Sequence, residues 1–243
     1  MASKQLEFVN VADKVGVQGA KILLTGESGA GKTTAAATTD APTLLMDIEA
    51  GTMSIRHAKN VKVFSVTSSE PLKQIFPVLD YLQNDNSEGF EWVIIDSISE
   101  LGEMVLAEEE TKTKGIKAYG DYAKRMIPFV KALRDLEGMN VVMTTKLRTL
   151  KDEETGVVKH FPSMPGKQVT DALPYLFDLV LPLRIIRTKA GETERWLQCV
   201  GDQNWIAKDR SGKLDRWEEP NLKNIRDKIA GKPLNSKPAV KAA

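Results

Sequence analysis

The sequence predicts an α/β fold in which a mostly parallel central sheet is flanked by helices. Three observations predict it. Short, near-continuous apolar runs recur along the chain, stretches with helical spacing separate them, and one glycine-rich turn joins a strand directly to a helix. A strand that is apolar at successive positions has both faces covered, and strands covered on both faces belong to parallel sheets. Strand and helix in alternation give the βαβ rhythm of a doubly wound fold.

The apolar runs at 22–24, 43–46, 61–64, 92–95 and 141–144 read as strands. Leu72, Ile75, Phe76, Leu79 and Leu82 recur at helical spacing, as do Tyr122, Met126, Phe129, Leu133 and Leu136, with Gly138 placed as a stop. Pro128 falls inside the second helix, where it removes a backbone donor and predicts a kink. Residues 147–171 are rich in charge, Gly and Pro and read as one long loop, a length that inside a compact domain points to partner contact. Strands resume at 179–186, 196–200 and 205–208, the last two joined by the turn residues Gly201, Asp202, Gln203 and Asn204. Residues 1–219 form one domain, and 220–243 a short helix followed by a basic disordered tail.

The 243 residues suffice for one large domain that needs no metal or disulfide staple. Cys199 is the single cysteine, no apolar run is long enough to span a membrane, and the N-terminus lacks a secretory h-region, so a cytoplasmic protein is expected. The net charge of +1 hides an asymmetry: residues 1–140 carry 15 Lys and Arg against 20 Asp and Glu, and residues 141–243 carry 19 against 13. Much of the excess lies from Lys223 onward, where Lys223, Arg226, Lys228, Lys232, Lys237 and Lys241 meet only Asp227 in sequence. Such a tail suits a polyanion partner or simple solubility.

Chemistry enters with Gly26-Glu27-Ser28-Gly29-Ala30-Gly31-Lys32-Thr33, which fits G-x-x-x-x-G-K-[ST] just after a strand and, with Thr34, at the head of the helix that holds Ala35, Ala36 and Ala37. Its glycines let backbone N–H groups turn onto phosphates, and the helix N-terminus adds partial positive charge. Lys32 then reaches the β- and γ-phosphates, and the Thr33 hydroxyl is a Mg²⁺ ligand. The strand at 92–95 ends in Asp96, the expected second Mg²⁺ residue, at the sheet edge where open α/β folds bind ligands. Residue 97 is Ser, so no acidic pair follows that strand, and another carboxylate must activate water. Glu49, just past the strand at 43–46, is the candidate; on chemistry alone it is equally a solvated turn residue. No Asn-Lys-x-Asp guanine motif stands at Thr144, Thr145, Lys146 and Leu147, so ATP is the expected nucleotide. His57 and His160 lie far apart without Cys partners and give no support to zinc.

The order of P-loop, Asp47-Ile48-Glu49, Ile95-Asp96-Ser97 and Val141-Val142-Met143-Thr144-Thr145-Lys146 resembles the RecA/Rad recombinase core over about residues 20–210. It looks closest to the RecA-core branch of the phage Sak-type single-strand annealing proteins. The resemblance implies a RecA-like P-loop NTPase fold with Glu49 as the catalytic glutamate. It implies a γ-phosphate sensor at position 146, where Lys146 replaces the family's Gln. It also implies DNA-binding loops near Lys114 and Lys117 and again at Arg148, Lys151, Lys159 and Lys167. Both basic stretches also read as solvated loops. The segment Trp205-Ile206-Ala207-Lys208-Asp209-Arg210 is similar to the strand that offers a neighbour's nucleotide its cations, which makes Lys208 and Arg210 trans-acting fingers or else plain hairpin charges.

The resemblance therefore implies an ATP- and Mg²⁺-dependent protein that assembles as a ring or filament on single-stranded DNA, works in recombination or annealing, and can meet a single-strand-binding protein. If phage-encoded, it would act in the host cytoplasm. Two other classes compete: a helicase-loader or regulatory ATPase with a protein partner, and a small-molecule kinase.

Overall fold

The computed structural model describes residues 19–188 and 191–232. Its centre is a ten-stranded sheet. Six strands run parallel: β1 (Lys21–Thr25), β2 (Thr43–Asp47), β3 (Val61–Ser65), β4 (Trp92–Asp96), β5 (Asn140–Lys151) and β7 (Leu179–Arg187). They lie side by side in the order β7-β1-β5-β4-β2-β3. The remainder is antiparallel. β6 (Val158–Ser163) pairs with the far half of β5, while β8 (Thr193–Gln198) and β9 (Lys208–Asp209) pair with β7, and β10 (Trp217–Glu218) with β8.

Both faces of the inner parallel strands are covered, which explains why they read as continuous apolar runs, while β3 at the sheet edge leaves Lys62 and Val63 exposed. One face carries α2 (Pro71–Asn84), α3 (Ile98–Lys112), α4 (Ile116–Arg134) and α5 (Lys167–Leu176). Leu23, Val93, Ile95, Val141 and Met143 meet their apolar sides. The other face holds the one-turn helix α1 (Lys32–Ala35) and α6 (Leu222–Ile229) over Ile22, Leu24, Leu45, Ile94 and Val142. Tyr122, Met126, Val130 and Leu133 of α4 are fully buried, each worth roughly 1.5–3 kcal/mol of apolar burial. Ser97 caps α3 by accepting from the Glu100 N–H, and Asn221 caps α6 by accepting from Asn224 N–H.

α3 and α4 are also stapled by charge. Arg125 on α4 binds both Glu108 and Glu109 of α3, and Lys112 joins them. Burial acts to raise both carboxyls, but the hydrogen bonds from Arg125 and Lys112 outweigh it and hold them below the usual range. At the opposite end of the sheet Lys21 is buried and donates to the carbonyls of Leu136 and Met139, both at 2.7 Å. Burial pulls its ammonium down to about 8.

Several sequence expectations need correction. Residues 147–171 do not form one loop: β5 runs on to Lys151, turns at Gly156, returns as β6 and leads into α5. The hairpin forms because main-chain pairing from Lys146↔Ser163 to Lys151↔Val158 satisfies the backbone without an apolar pattern. The strands at 196–200 and 205–208 do not pair either; β8 pairs with β7 and β10, and Trp205 bridges to His160. Three cations expected in the tail, Lys223, Arg226 and Lys228, sit on α6 and are paired with Asp40, Asp215, Glu218 and Asp227. The segment 233–243, with Lys237 and Lys241, lies outside the described residues.

Candidate functional site

Because six strands share a direction, their C-terminal ends meet along one edge, and the loops leaving β1, β2, β4 and the middle of β5 converge there. They enclose a cleft of about 690 Å³ lined by Gly26, Glu27, Ser28, Gly29, Gly31, Lys32, Thr33, Thr34, Glu49, Ser54, Lys146, Leu147 and Thr149. The P-loop leaves β1 at Gly26, where an added Cβ would lie 3.0 Å from the Leu183 carbonyl oxygen of β7. Gly29 and Gly31 have φ of 74° and 105°, the left-handed region that only glycine enters cheaply.

Lys32 folds back on its own loop, donating to the carbonyls of Gly26 at 2.9 Å and Glu27 at 3.0 Å. Burial lowers its pKa, and the charges of Glu49 and Asp96 oppose that shift. A cation at the cleft wall whose partners are carbonyls of its own loop can exchange them for phosphate oxygens. Asp96 is 2% exposed and has both oxygens engaged: Thr33 Oγ donates to one and Thr144 Oγ to the other, each at 2.5 Å. This pair of hard oxygen donors, Thr33 and Asp96, fits Mg²⁺.

Glu49 reaches the cleft because its segment is stitched to the end of β4. The N–H groups of Ile48 and Glu49 both donate to the Asp96 carbonyl, at 2.9 and 3.3 Å. Ser97 Oγ donates to the Glu49 carboxylate. Residues 96 and 97 therefore serve two neighbours: the side chain of one faces Thr33 and that of the other orients Glu49.

Lys146 contributes to the cleft wall, but its ammonium is bound to Glu100 at 2.7 Å and Glu103 at 2.8 Å on α3. Burial lowers its pKa less than those two carboxylates raise it. Lys208 and Arg210 stand elsewhere. β9 pairs with the first residues of β7, level with the start of β1, so both cations lie at the sheet edge opposite their own P-loop. There Lys208 donates to the Pro174 carbonyl at 2.7 Å, and Arg210 to Asp178 at 3.1 Å. Neither reaches the cleft of its own chain.

The basic residues split into two groups. Lys114 precedes Gly115 between α3 and α4, Lys117 lies in the first turn of α4, and Lys167 opens α5; a shallow second pocket with Ile116 and Tyr119 lies between the starts of α4 and α5. Arg148, Lys151 and Lys159 ride on the β5–β6 hairpin. Arg148 lies over Phe161 at 5.9 Å and shares a face with Lys159, while Lys151 points to the face of Thr149.

Sequence reasoning missed Thr144, Ser97, Ser54 and Arg195. Thr144, in the middle of β5, and Ser97, directly after β4, could have been found as hydroxyls close in sequence to Lys146 and Asp96. Ser54 and Arg195 leave no such signal; Arg195 Nε reaches the Ala30 carbonyl at 3.0 Å across 165 positions of sequence.

A family model described as an AAA domain matches residues 18–211. A search of curated proteins finds no match. Among solved structures, a KaiC-like protein from the hyperthermophilic archaeon Pyrococcus horikoshii OT3 matches with 14% identity and a TM-score of 0.42, over 74% of this chain and 77% of that one. No helix among the described residues is long and apolar enough to cross a membrane.

Proposed function

The chain belongs to the AAA domain family, and from that premise we propose that it is a Mg²⁺-dependent ATPase that acts on single-stranded DNA, in recombination or strand annealing. The observation that carries the ATPase reading is the meeting at one cleft of Lys32 and Thr33 at the start of α1, Asp96 at the end of β4 and Glu49 just after β2. ATP phosphates lie along the P-loop, and Lys32 leaves the carbonyls of Gly26 and Glu27 to meet the β- and γ-oxygens. Thr33 and Asp96 hold Mg²⁺, which when bound screens the charge of the phosphates. Glu49 accepts a proton from the water that attacks the γ-phosphorus, and the products are ADP and phosphate. Ser97 keeps the Glu49 carboxylate turned toward the cleft.

The DNA half of the reading rests on chemistry and resemblance. The hairpin that lines the cleft with Leu147 and Thr149 carries Arg148, Lys151 and Lys159 beyond it, so nucleotide and polyanion would be joined by one piece of backbone. Tyr119 and Lys167 line the second pocket, with Lys114 and Lys117 nearby in sequence, and Tyr119 offers a ring for stacking. Lys208 and Arg210, at the edge away from their own cleft, suit a homo-oligomer in which they would meet a neighbour's nucleotide. A loader or regulatory ATPase is the second reading, favoured by Ile116 at 93% exposure and Tyr175 at 78%, which suit a protein partner.

The test is the ATPase rate and particle size with and without single-stranded DNA. Faster hydrolysis and larger particles with DNA are expected. A DNA-independent rate and size would favour the loader reading.

A further inference from the structure

Arg195 comes from the antiparallel part of the sheet and touches the P-loop from outside the cleft. It pairs across β7–β8 with Ile185, two residues from the buried pair Leu183 and Leu197 that backs the loop. Its Nε donates to the Ala30 carbonyl at 3.0 Å, and its Cδ would be 3.6 Å from a Cβ on Gly31. The stem therefore lies over the outer surface of Gly31, whose inner surface lines the cleft.

The peptides on either side are already pinned. Ala30 N–H donates to the Glu27 carbonyl at 3.2 Å, which fixes the peptide before, and the Gly31 carbonyl accepts from Ala35 N–H at 3.1 Å, which fixes the peptide after. Between them the Ala30–Gly31 peptide is held by Arg195. Rotation of that peptide is cheap on its glycine side, since Gly31 sits at φ 105° where no Cβ constrains it. In a trans peptide the C=O and N–H point in opposite directions. Holding the oxygen outward on the guanidinium thus aims the Gly31 N–H inward. Backbone N–H groups of this loop are what cradle the phosphates.

We propose that Arg195 is a positioning residue for nucleotide binding: it locks the Ala30–Gly31 peptide so that the Gly31 N–H faces the phosphates. Arginine suits the task because it stays protonated, so the lock does not titrate. The inference rests on the nucleotide reading proposed above.

The experiment compares the wild type with Arg195→Met, which keeps the stem over Gly31 without a donor, and Arg195→Lys, which keeps a cation. Titration calorimetry with Mg-ADP and a non-hydrolysable ATP analogue is read beside the melting temperature and kcat. Arg195→Met is expected to weaken both nucleotides about tenfold, the loss of one charge-assisted bond. Arg195→Lys should recover part of that loss, and melting temperature and kcat at saturation should stay near wild type, since the lost contact is the same in ground and transition states. If wild type binds ADP and Arg195→Met binds it equally well, or loses kcat with affinity intact, the inference is overturned while the nucleotide reading stands. If Arg195→Met melts lower and Arg195→Lys restores stability without restoring affinity, Arg195 only packs the loop and the inference also fails. Absence of ADP binding to the wild type would overturn both.

Discussion

In the parallel part of the sheet, β1, β2, β4 and β5 end or turn at the same edge; Asp96 ends β4, and Lys32, Thr33 and Glu49 lie in the segments that leave β1 and β2. In the antiparallel part, neighbouring strands run in opposite directions, and their charges are spread out. Lys151 and Lys159 stand on opposite faces of one hairpin, and Lys208 and Arg210 lie at the far edge of the sheet. Strand direction alone produces this difference. Parallel strands concentrate chemistry at one edge, whereas antiparallel strands distribute charge over a surface. The first arrangement suits a reaction centre and the second an extended polyanion.

The largest effect is expected at Glu49, on the parallel edge. Glu49→Gln should keep ATP binding and lose turnover by about 10²-fold or more, as expected for a general base made neutral at constant shape. Single-turnover hydrolysis beside equilibrium binding separates the two. A rate that survives would return Glu49 to a solvated turn residue and leave the parallel edge without its base.

The next effect concerns the scaffold. Arg125→Ala strands Glu108 and Glu109, whose side chains are only 7% and 8% exposed, and should cost about 2–3 kcal/mol in urea unfolding at pH 7. The full cost of a buried pair is not expected because the Arg125 side chain is 28% exposed. The two carboxyls titrate lower in the folded state, so their contribution is present above the ordinary carboxyl range. It fades as pH falls through their folded values, and the gap between variant and wild type should close there.

Lys21 gives a smaller effect of opposite direction in pH. Its folded value of about 8 lies below the unfolded 10.5, so the folded state binds fewer protons between those limits and stability rises with pH through that window. Measured against Lys21→Met, wild-type stability should gain on the order of 1–2 kcal/mol from pH 8 to 10.5. A flat difference would show that the two carbonyls hold the ammonium charged throughout.

The smallest effect is on the antiparallel side. Neutralising Lys151, Lys159 and Lys167 together should flatten the salt dependence of single-strand binding by roughly 0.7 to 1.4 in log–log slope. That is one to two released counterions, because opposite faces cannot all meet one strand. A fall of about 2 would mean that DNA wraps the hairpin, and no change would remove the hairpin from the interface.

The same contrast decides what was legible in the sequence. Parallel strands buried on both faces announce themselves as apolar runs, so β1, β2 and β4, the P-loop between β1 and α1, and an Asp ending β4 could be read directly. The continuation of β5 and the return strand β6 could not. Lys146-Leu147-Arg148-Thr149-Leu150-Lys151 pairs through its backbone with a segment holding Pro162, and Pro165 and Pro174 disguise α5. α3 was hidden by its acids, since Glu108 and Glu109 are buried only because Arg125 arrives from another helix. Lys146 lines the cleft, and its carboxylate partners come from α3 and not from its own strand, so no local pattern shows them. Arg195 shows the limit most clearly, because a contact with Ala30 is a property of the assembled sheet and no local pattern encodes it.

If the parallel edge is a nucleotide site built around the P-loop, a non-hydrolysable ATP analogue binds there, and equilibrium titration with and without Mg²⁺ measures it. Saturable binding at one site per chain is expected, tighter with Mg²⁺ and weakened about 100-fold or more in Lys32→Ala, which removes the cation that grips the phosphates. Equal binding by wild type and Lys32→Ala, or none by either while both stay folded, would contradict the account.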